Sequence, residues 1–167
     1  KRDDPARKRT ERMPNASGGI SRLAYKLAQS KGIDLEEQLQ KAGITRAQIE
    51  DARAPIKVRD QIKFLNLVSS TLDDDFLGFH LAQACDLREI GLLYYVLASS
   101  ETLIDALQRA ERYSTIMNEG VLQTCIDGKH FGLSFDYVGV SRHPDRHQME
   151  FWITAVVRTC RQLTGSR

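Results

Sequence analysis

Apolar and polar positions along the chain fall into two regimes. As far as Asn118 the apolar residues recur every three or four positions, the spacing of a helix face. Beyond it the period drops to two, and from Asp145 it becomes helical again. The densest stretch lies mid-chain, where Leu92, Leu93, Val96 and Leu97 predict a short buried helix. Ser99 and Ser100 interrupt that pattern, and Leu103, Ala106, Leu107, Ala110, Tyr113 and Met117 resume it as an amphipathic face. Thr102 and Asp105 have the spacing of a capping box, in which two side chains satisfy free backbone N–H groups at a helix start.

Earlier in the chain, Pro14 to Gly19 is a breaker cluster that separates an N-terminal tail from the body. Ile20, Leu23, Ala24, Leu27 and Ala28 predict a helix that Gly32 ends. Asp34 with Glu37 suggests a second capping box, followed by an inner face of Leu35, Leu39 and Ala42 and a stop at Gly43. Thr45 with Gln48 opens a very short helix around Ile49, which must end before Pro55. Val58, Ile62, Leu65, Val68 and Leu72 form a long stripe widened by Phe64. Asp73 to Asp75 close it and offer a cap to the next helix, whose core residues are expected to be Phe76, Leu77, Leu81, Ala84 and Cys85.

After Asn118, Glu119–Val138 predicts a hairpin turning at Asp127-Gly128. In its second strand Phe131, Leu133, Phe135 and Tyr137 alternate with His130, Gly132, Ser134 and Asp136, so one face is buried and the other polar. Asp145 is expected to cap a last helix reaching Thr164. Its inner face is read as Met149, Trp152, Ile153, Val156, Val157, Cys160 and Leu163, with Gly165 as terminator. The fold class is therefore α+β: a mainly helical N-terminal portion of six to eight helices in all, a β-hairpin or small antiparallel sheet, and a long C-terminal helix. A two-stranded hairpin is marginal alone and has unpaired edges, so further strands or a second chain are expected beside it.

Length changes this picture little: 167 residues suit one domain with a real core. Charge changes it at one end. Lys1, Arg2, Arg7, Lys8, Arg9 and Arg12 outweigh Asp3, Asp4 and Glu11, which makes residues 1–12 a +3 tail and leaves the body near −1 out of a net +2. Residues 1–18 are expected to be a disordered basic tail and residues 19–167 one folded domain. The chain opens at Lys1 rather than Met, as a fragment would, with no signal peptide pattern and no run long enough to span a bilayer. Cys85, Cys125 and Cys160 are widely spaced and odd in number, which points to buried free thiols in a reducing cytoplasm.

Candidate chemistry is sparse. His143, His147 and Glu150 have ligand-like spacing, but Pro144 and the expected cap at Asp145 put His143 outside the helix, so no metal site is assigned. Gly132-Leu133-Ser134-Phe135-Asp136 begins like a nucleophile elbow, yet it lacks the second glycine and lies within an alternating strand. Glycine-rich phosphate loops, zinc-spaced cysteines and H-E-x-x-H motifs are missing from the sequence, so neither an enzyme nor a cofactor is expected. Residues 35–52 resemble a helix-turn-helix, with Gly43 in the turn and Ile49 as the second buried aliphatic. That alternative, a DNA-binding module, is opposed by the short second helix and by Glu50 and Asp51. The functional class left is a small-molecule pocket, apolar with a few polar anchors. Tyr95, Arg112, Tyr113 and Trp152 are its candidate residues, with Tyr95 and Tyr113 on inner helix faces. Tyr94 and Tyr137 are further aromatics, and Arg88 or His80 further groups able to meet an anion.

Gly91-Leu92-Leu93, Tyr95, Leu97, Ser100, Thr102-Leu103, Ala106-Leu107 and Arg112-Tyr113 carry a family resemblance. The run resembles the N-terminal effector and dimerisation domain of AraC-type transcriptional regulators, and more narrowly the branch whose sensor begins with helices. The resemblance extends from about Leu35 to the end of the chain. It implies a bacterial, cytoplasmic regulator that binds a small-molecule effector and forms a homodimer. It also implies that DNA is read by a separate C-terminal domain outside these residues, and that no membrane is involved.

Overall fold

The computed structural model describes residues 15–90, 92–113, 121–127, 130–137 and 143–165. Through them the chain runs β1 (Asn15–Ala16), α1 (Gly19–Ser30), α2 (Glu36–Ala42), α3 (Arg46–Glu50), β2 (Ile56–Lys57), α4 (Val58–Leu72) and α5 (Leu77–Ala84). A 3-10 turn (Leu87–Ile90) leads into α6 (Leu92–Ala98) and α7 (Leu103–Tyr113), then the hairpin β3 (Val121–Asp127) and β4 (His130–Asp136), and last α8 (Arg146–Thr164). This is the α+β architecture expected from the periodicity. None of the described helices is long and apolar enough to cross a membrane.

Local chemistry accounts for most of the helix ends. The Thr45 hydroxyl accepts the Gln48 N–H at 3.2 Å, while the Gln48 side chain accepts the Thr45 N–H at 2.9 Å, a complete capping box on α3. At α7 the Asp105 N–H donates to Thr102 Oγ1 at 3.1 Å, and the Thr102 hydroxyl donates to the Asp105 carboxylate at 2.6 Å. Gly43 closes α2 in the left-handed region (φ 79°), letting the Ile44 N–H reach back to the Leu39 carbonyl at 3.0 Å.

The main core gathers α1, α2, α4, α5 and α8. Ala24, Ala28, Ile56, Phe64, Val68, Leu77 and Ala82 have no exposed surface there, and Ile44 and Ile49 join them. A smaller cluster of Ala16, Val58, Ile62 and Tyr137, with Phe135 and Met149 against it, joins the first strand, α4, the hairpin and α8. Helices α5 and α8 lie backbone to backbone: a Cβ on Gly78 would stand 1.9 Å from the carbonyl oxygen of His147.

The small sheet at the start is a departure from expectation. Asn15 pairs with Lys57 and Ala16 with Ile56, and Ala16 is buried, so residues 15–18 belong to the body rather than to a tail ending at 18. Residues 1–14, which hold the basic cluster, lie outside the described residues. The hairpin has the expected strands, in register from Val121↔Asp136 to Asp127↔His130. Its turn residues Gly128 and Lys129 also lie outside.

Other expectations need correction. Asp34 accepts the Glu36 N–H at 3.2 Å, but α2 has no capping box: its N-cap is Leu35, and Glu37 pairs with Lys41 at 2.7 Å. In α5, Phe76 is 57% exposed and Ala84 is exposed, whereas Ala82 is buried; the Gly78 face turns to α8 and carries Leu81 and Ala82 inward with it. On α8 the buried residues are His147, Gln148, Phe151, Ala155 and Thr159, one position away from the expected stripe, while Ile153 is 65% exposed. Asp145 holds the N-cap position of α8 without a side-chain capping bond. Among the thiols only Cys85 is buried; Cys125 is exposed and Cys160 half-buried.

Candidate functional site

Interior polar groups must find partners, so they mark where the fold departs from simple apolar packing. One chain of such groups crosses the core between three helices. The Ser21 hydroxyl on α1 donates to Gln61 Oε1 on α4 at 3.2 Å, and Gln61 Nε2 donates to Gln148 Oε1 on α8 at 2.8 Å. All three side chains are 1% exposed or less. The chain ends at the Gln148 Nε2 group, a buried donor with no acceptor.

One turn further along α8 stands Trp152, whose indole N–H is also buried without a partner. Residues four apart on a helix share a face, with Cβ atoms roughly 6 Å apart. The indole is half-buried and lies against Phe135 of β4, ring centroids 5.9 Å apart, and edge-on to Phe151 at 5.6 Å. Phe135 in turn meets the buried Tyr137 ring edge-on at 5.0 Å. Two neutral donors thus lie one turn apart on α8, and the second of them stands against an aromatic wall where α8 meets the hairpin.

Trp152 alone of the four sequence-derived candidates belongs to this place. Tyr95 on α6 is 58% exposed, its ring edge-on to Tyr94 at 5.5 Å, so its expected inward position is corrected. Tyr94 is the more enclosed of the pair, and its hydroxyl accepts the Gln162 side-chain N–H of α8 at 2.7 Å. Arg112 and Tyr113 end α7, both exposed, which corrects Tyr113 in the same way. Among the described residues no hydrogen bond, ion pair or ring contact joins Tyr95, Arg112, Tyr113 and Trp152 to one another. Sequence reasoning missed Gln61 and Gln148, because glutamine is ordinarily a surface residue and nothing in their spacing marks them as buried.

The remaining polar candidates have local partners. His80 Nδ1 lies 2.9 Å from both carboxylate oxygens of Asp74, and Arg88 pairs with Asp86 at 3.3 Å. His147 Nδ1 is 3.4 Å from Glu150, while His143 precedes α8 in left-handed backbone (φ 81°). Among the described residues no group of three His, Cys, Asp or Glu side chains is placed to hold a metal ion.

The region resembling a helix-turn-helix is packed into the body. Helix α3 has five residues. Arg22 of α1 ties down its end, donating to the carbonyls of Gln48 (2.8 Å), Ile49 (3.2 Å), Asp51 (2.6 Å) and Ala54 (2.8 Å), as well as to Ser17. Those contacts position a loop, and they occupy a cation that a phosphate would otherwise attract.

Comparison with known protein families matches most of the chain. Residues 32–167 fit the family model described as the arabinose-binding domain of AraC transcription regulators, N-terminal. No curated protein matches the chain.

Proposed function

The chain belongs to the N-terminal arabinose-binding domain family of AraC transcription regulators, a ligand-sensing regulatory class, and from that premise we propose that it senses a small-molecule effector, dimerises, and passes its state to a DNA-binding domain. The match over residues 32–167 carries this reading. The protein is read as a bacterial, cytoplasmic regulator and not as an enzyme. A ligand regulates only by favouring one arrangement of helices and strands over another, so an effector of this domain must bind where elements meet. Thermal denaturation of the chain with L-arabinose and a panel of small metabolites tests the sensing role. A saturable rise in Tm with one compound is the expected outcome, and a panel without effect rejects it.

A homodimer through α8 is the partner arrangement best supported. One edge of the hairpin is already engaged, since the Thr124 N–H donates to Glu111 of α7 at 3.2 Å and its hydroxyl donates to the same carboxylate. Ile153 and Val157, four apart on α8, are 65% and 43% exposed, with half-buried Val156 and Cys160 beside them. A two-fold contact between copies buries such a stripe against itself. Sedimentation equilibrium at micromolar concentration should find a dimer that Ile153→Glu converts to monomer; a monomeric parent chain rejects this arrangement. Duplex DNA should bind weakly near 0.15 M salt, because the body beyond residue 12 is close to neutral.

A further inference from the structure

We propose that Gln148 Nε2 and Trp152 Nε1 are the anchoring donors for the effector, and that the effector is an uncharged molecule offering oxygen acceptors from a flat or partly apolar body. The inference deepens the sensing role and depends on it. Its first support is the polarity of the buried chain: Ser21 donates to Gln61 and Gln61 to Gln148, so each acceptor along the line is used and the terminal donor is left over. A donor in a residue 1% exposed has lost its hydration without a replacement bond, and an acceptor arriving there supplies one.

The second support is independent of the first. Trp152 places another unpaired donor one turn along α8, in a side chain that is only half-buried and so reaches the surface. The tilted stack of Trp152 on Phe135, at an interplanar angle of 32°, supplies an apolar wall for a ring or carbon skeleton. Charge follows from the donors. Both are neutral, and the described side chains bonded or stacked on them (Gln61, Phe135 and Phe151) bring no cation, so a carboxylate there would be desolvated without compensation. Binding at this point would engage α8, the hairpin and, through Gln61, α4 and α1 together, which is how one ligand biases a whole arrangement.

The chain has a single tryptophan, so its indole N–H resonance reports this site alone. Benzamide, an uncharged aromatic carbonyl, and benzoate, its charged counterpart, are titrated against the whole chain. The indole resonance should move saturably with benzamide and at least about tenfold more weakly with benzoate, whose charge would be desolvated there without a cation. Gln148→Met removes one donor and Trp152→Phe removes the other while leaving the Gln61–Gln148 bond intact. Each should weaken benzamide about tenfold by ligand-observed NMR, with circular dichroism checking that the fold persists. An indole that benzamide leaves unmoved, a preference for benzoate, or equal affinity in a folded Trp152→Phe protein overturns the proposal and leaves the donors to ordered water only. Stabilisation of the chain by a metabolite that persists unchanged in both variants removes this site but keeps the sensing role. A chain stabilised by nothing in the panel removes the sensing role itself.

Discussion

The helices before Leu87 and the segment from α6 to the end of β4 reach order by different means. In the first region Phe64, Leu35, Leu39, Leu65 and Leu77 are all but inaccessible, each inside a cluster fed by six helices. In the second, Ala106 and Ala110 are buried, 2% and 6% exposed, while Tyr95, Ile104, Tyr113 and Leu133 keep a third or more of their surface. Both regions have amphipathic helices and intact caps, so local propensity does not separate them. The difference is what faces the apolar side. Helix α4 lies among neighbours on several sides; α6 and α7 pack on each other, on the hairpin and on α8. Where the apolar side of a helix meets fewer neighbours, local opening costs less.

The largest expected effect would break that comparison if it failed. Phe64→Ala should cost about 3–5 kcal/mol in urea unfolding, while Ile104→Ala, half exposed on α7, should stay within about 0.5 kcal/mol. Equal losses at the two positions would mean that the second region is as tightly held as the first. Next is Gly78→Ala, whose added Cβ collides with the His147 carbonyl; prising α5 from α8 should cost about 1–3 kcal/mol, read as a fall in Tm. A neutral result would mean that the two helices separate freely.

The caps sharpen the contrast at a smaller scale. Thr45→Ala and Thr102→Ala remove equivalent hydroxyl caps from α3 and α7, each worth about 1 kcal/mol in global stability if both helices unfold with the core. Hydrogen exchange distinguishes the regions here: Thr102→Ala should raise exchange in α7 with little effect on α4, and uniform acceleration would contradict a separately opening segment.

The smallest effect is one of pH. The hydrogen bond from Lys41 holds the Glu37 carboxyl below its ordinary 4.5, and the Arg88 backbone N–H holds Asp86 below 3.8. A carboxyl lowered in the folded state adds stability that is complete above its unfolded value and disappears as pH falls through the folded one. Stability should therefore be flat near neutrality and decline slightly below about pH 4.5, less so in high salt because both groups are fully exposed. Glu37→Gln should remove part of that slope in a Tm-against-pH series.

Much of the molecule was legible without coordinates. Helix and strand periods, the glycine stops at Gly43 and Gly165, and the boxes at Thr45 and Thr102 are local features, set by residues a few positions apart, and local chemistry suffices to read them. The family and its sensing role were legible too, through the run around Gly91–Tyr113. The polar chain from Ser21 to Gln148 was not, because its members stand 40 and 87 positions apart and become neighbours only when α1, α4 and α8 assemble.

Helix α8 marks the line between the two kinds of information. Its existence, length and end were written in its own residues. Which side it buries was decided by its neighbour: the sequence pattern favoured Met149, Trp152, Ile153, Val156, Val157, Cys160 and Leu163, yet the protein turns His147, Gln148, Phe151, Ala155 and Thr159 inward. Closest approach governs that choice. Gly78 has no side chain to hold α5 away from the His147 carbonyl, so the two backbones meet where atoms are fewest, and Ile153 and Val157 are left facing out.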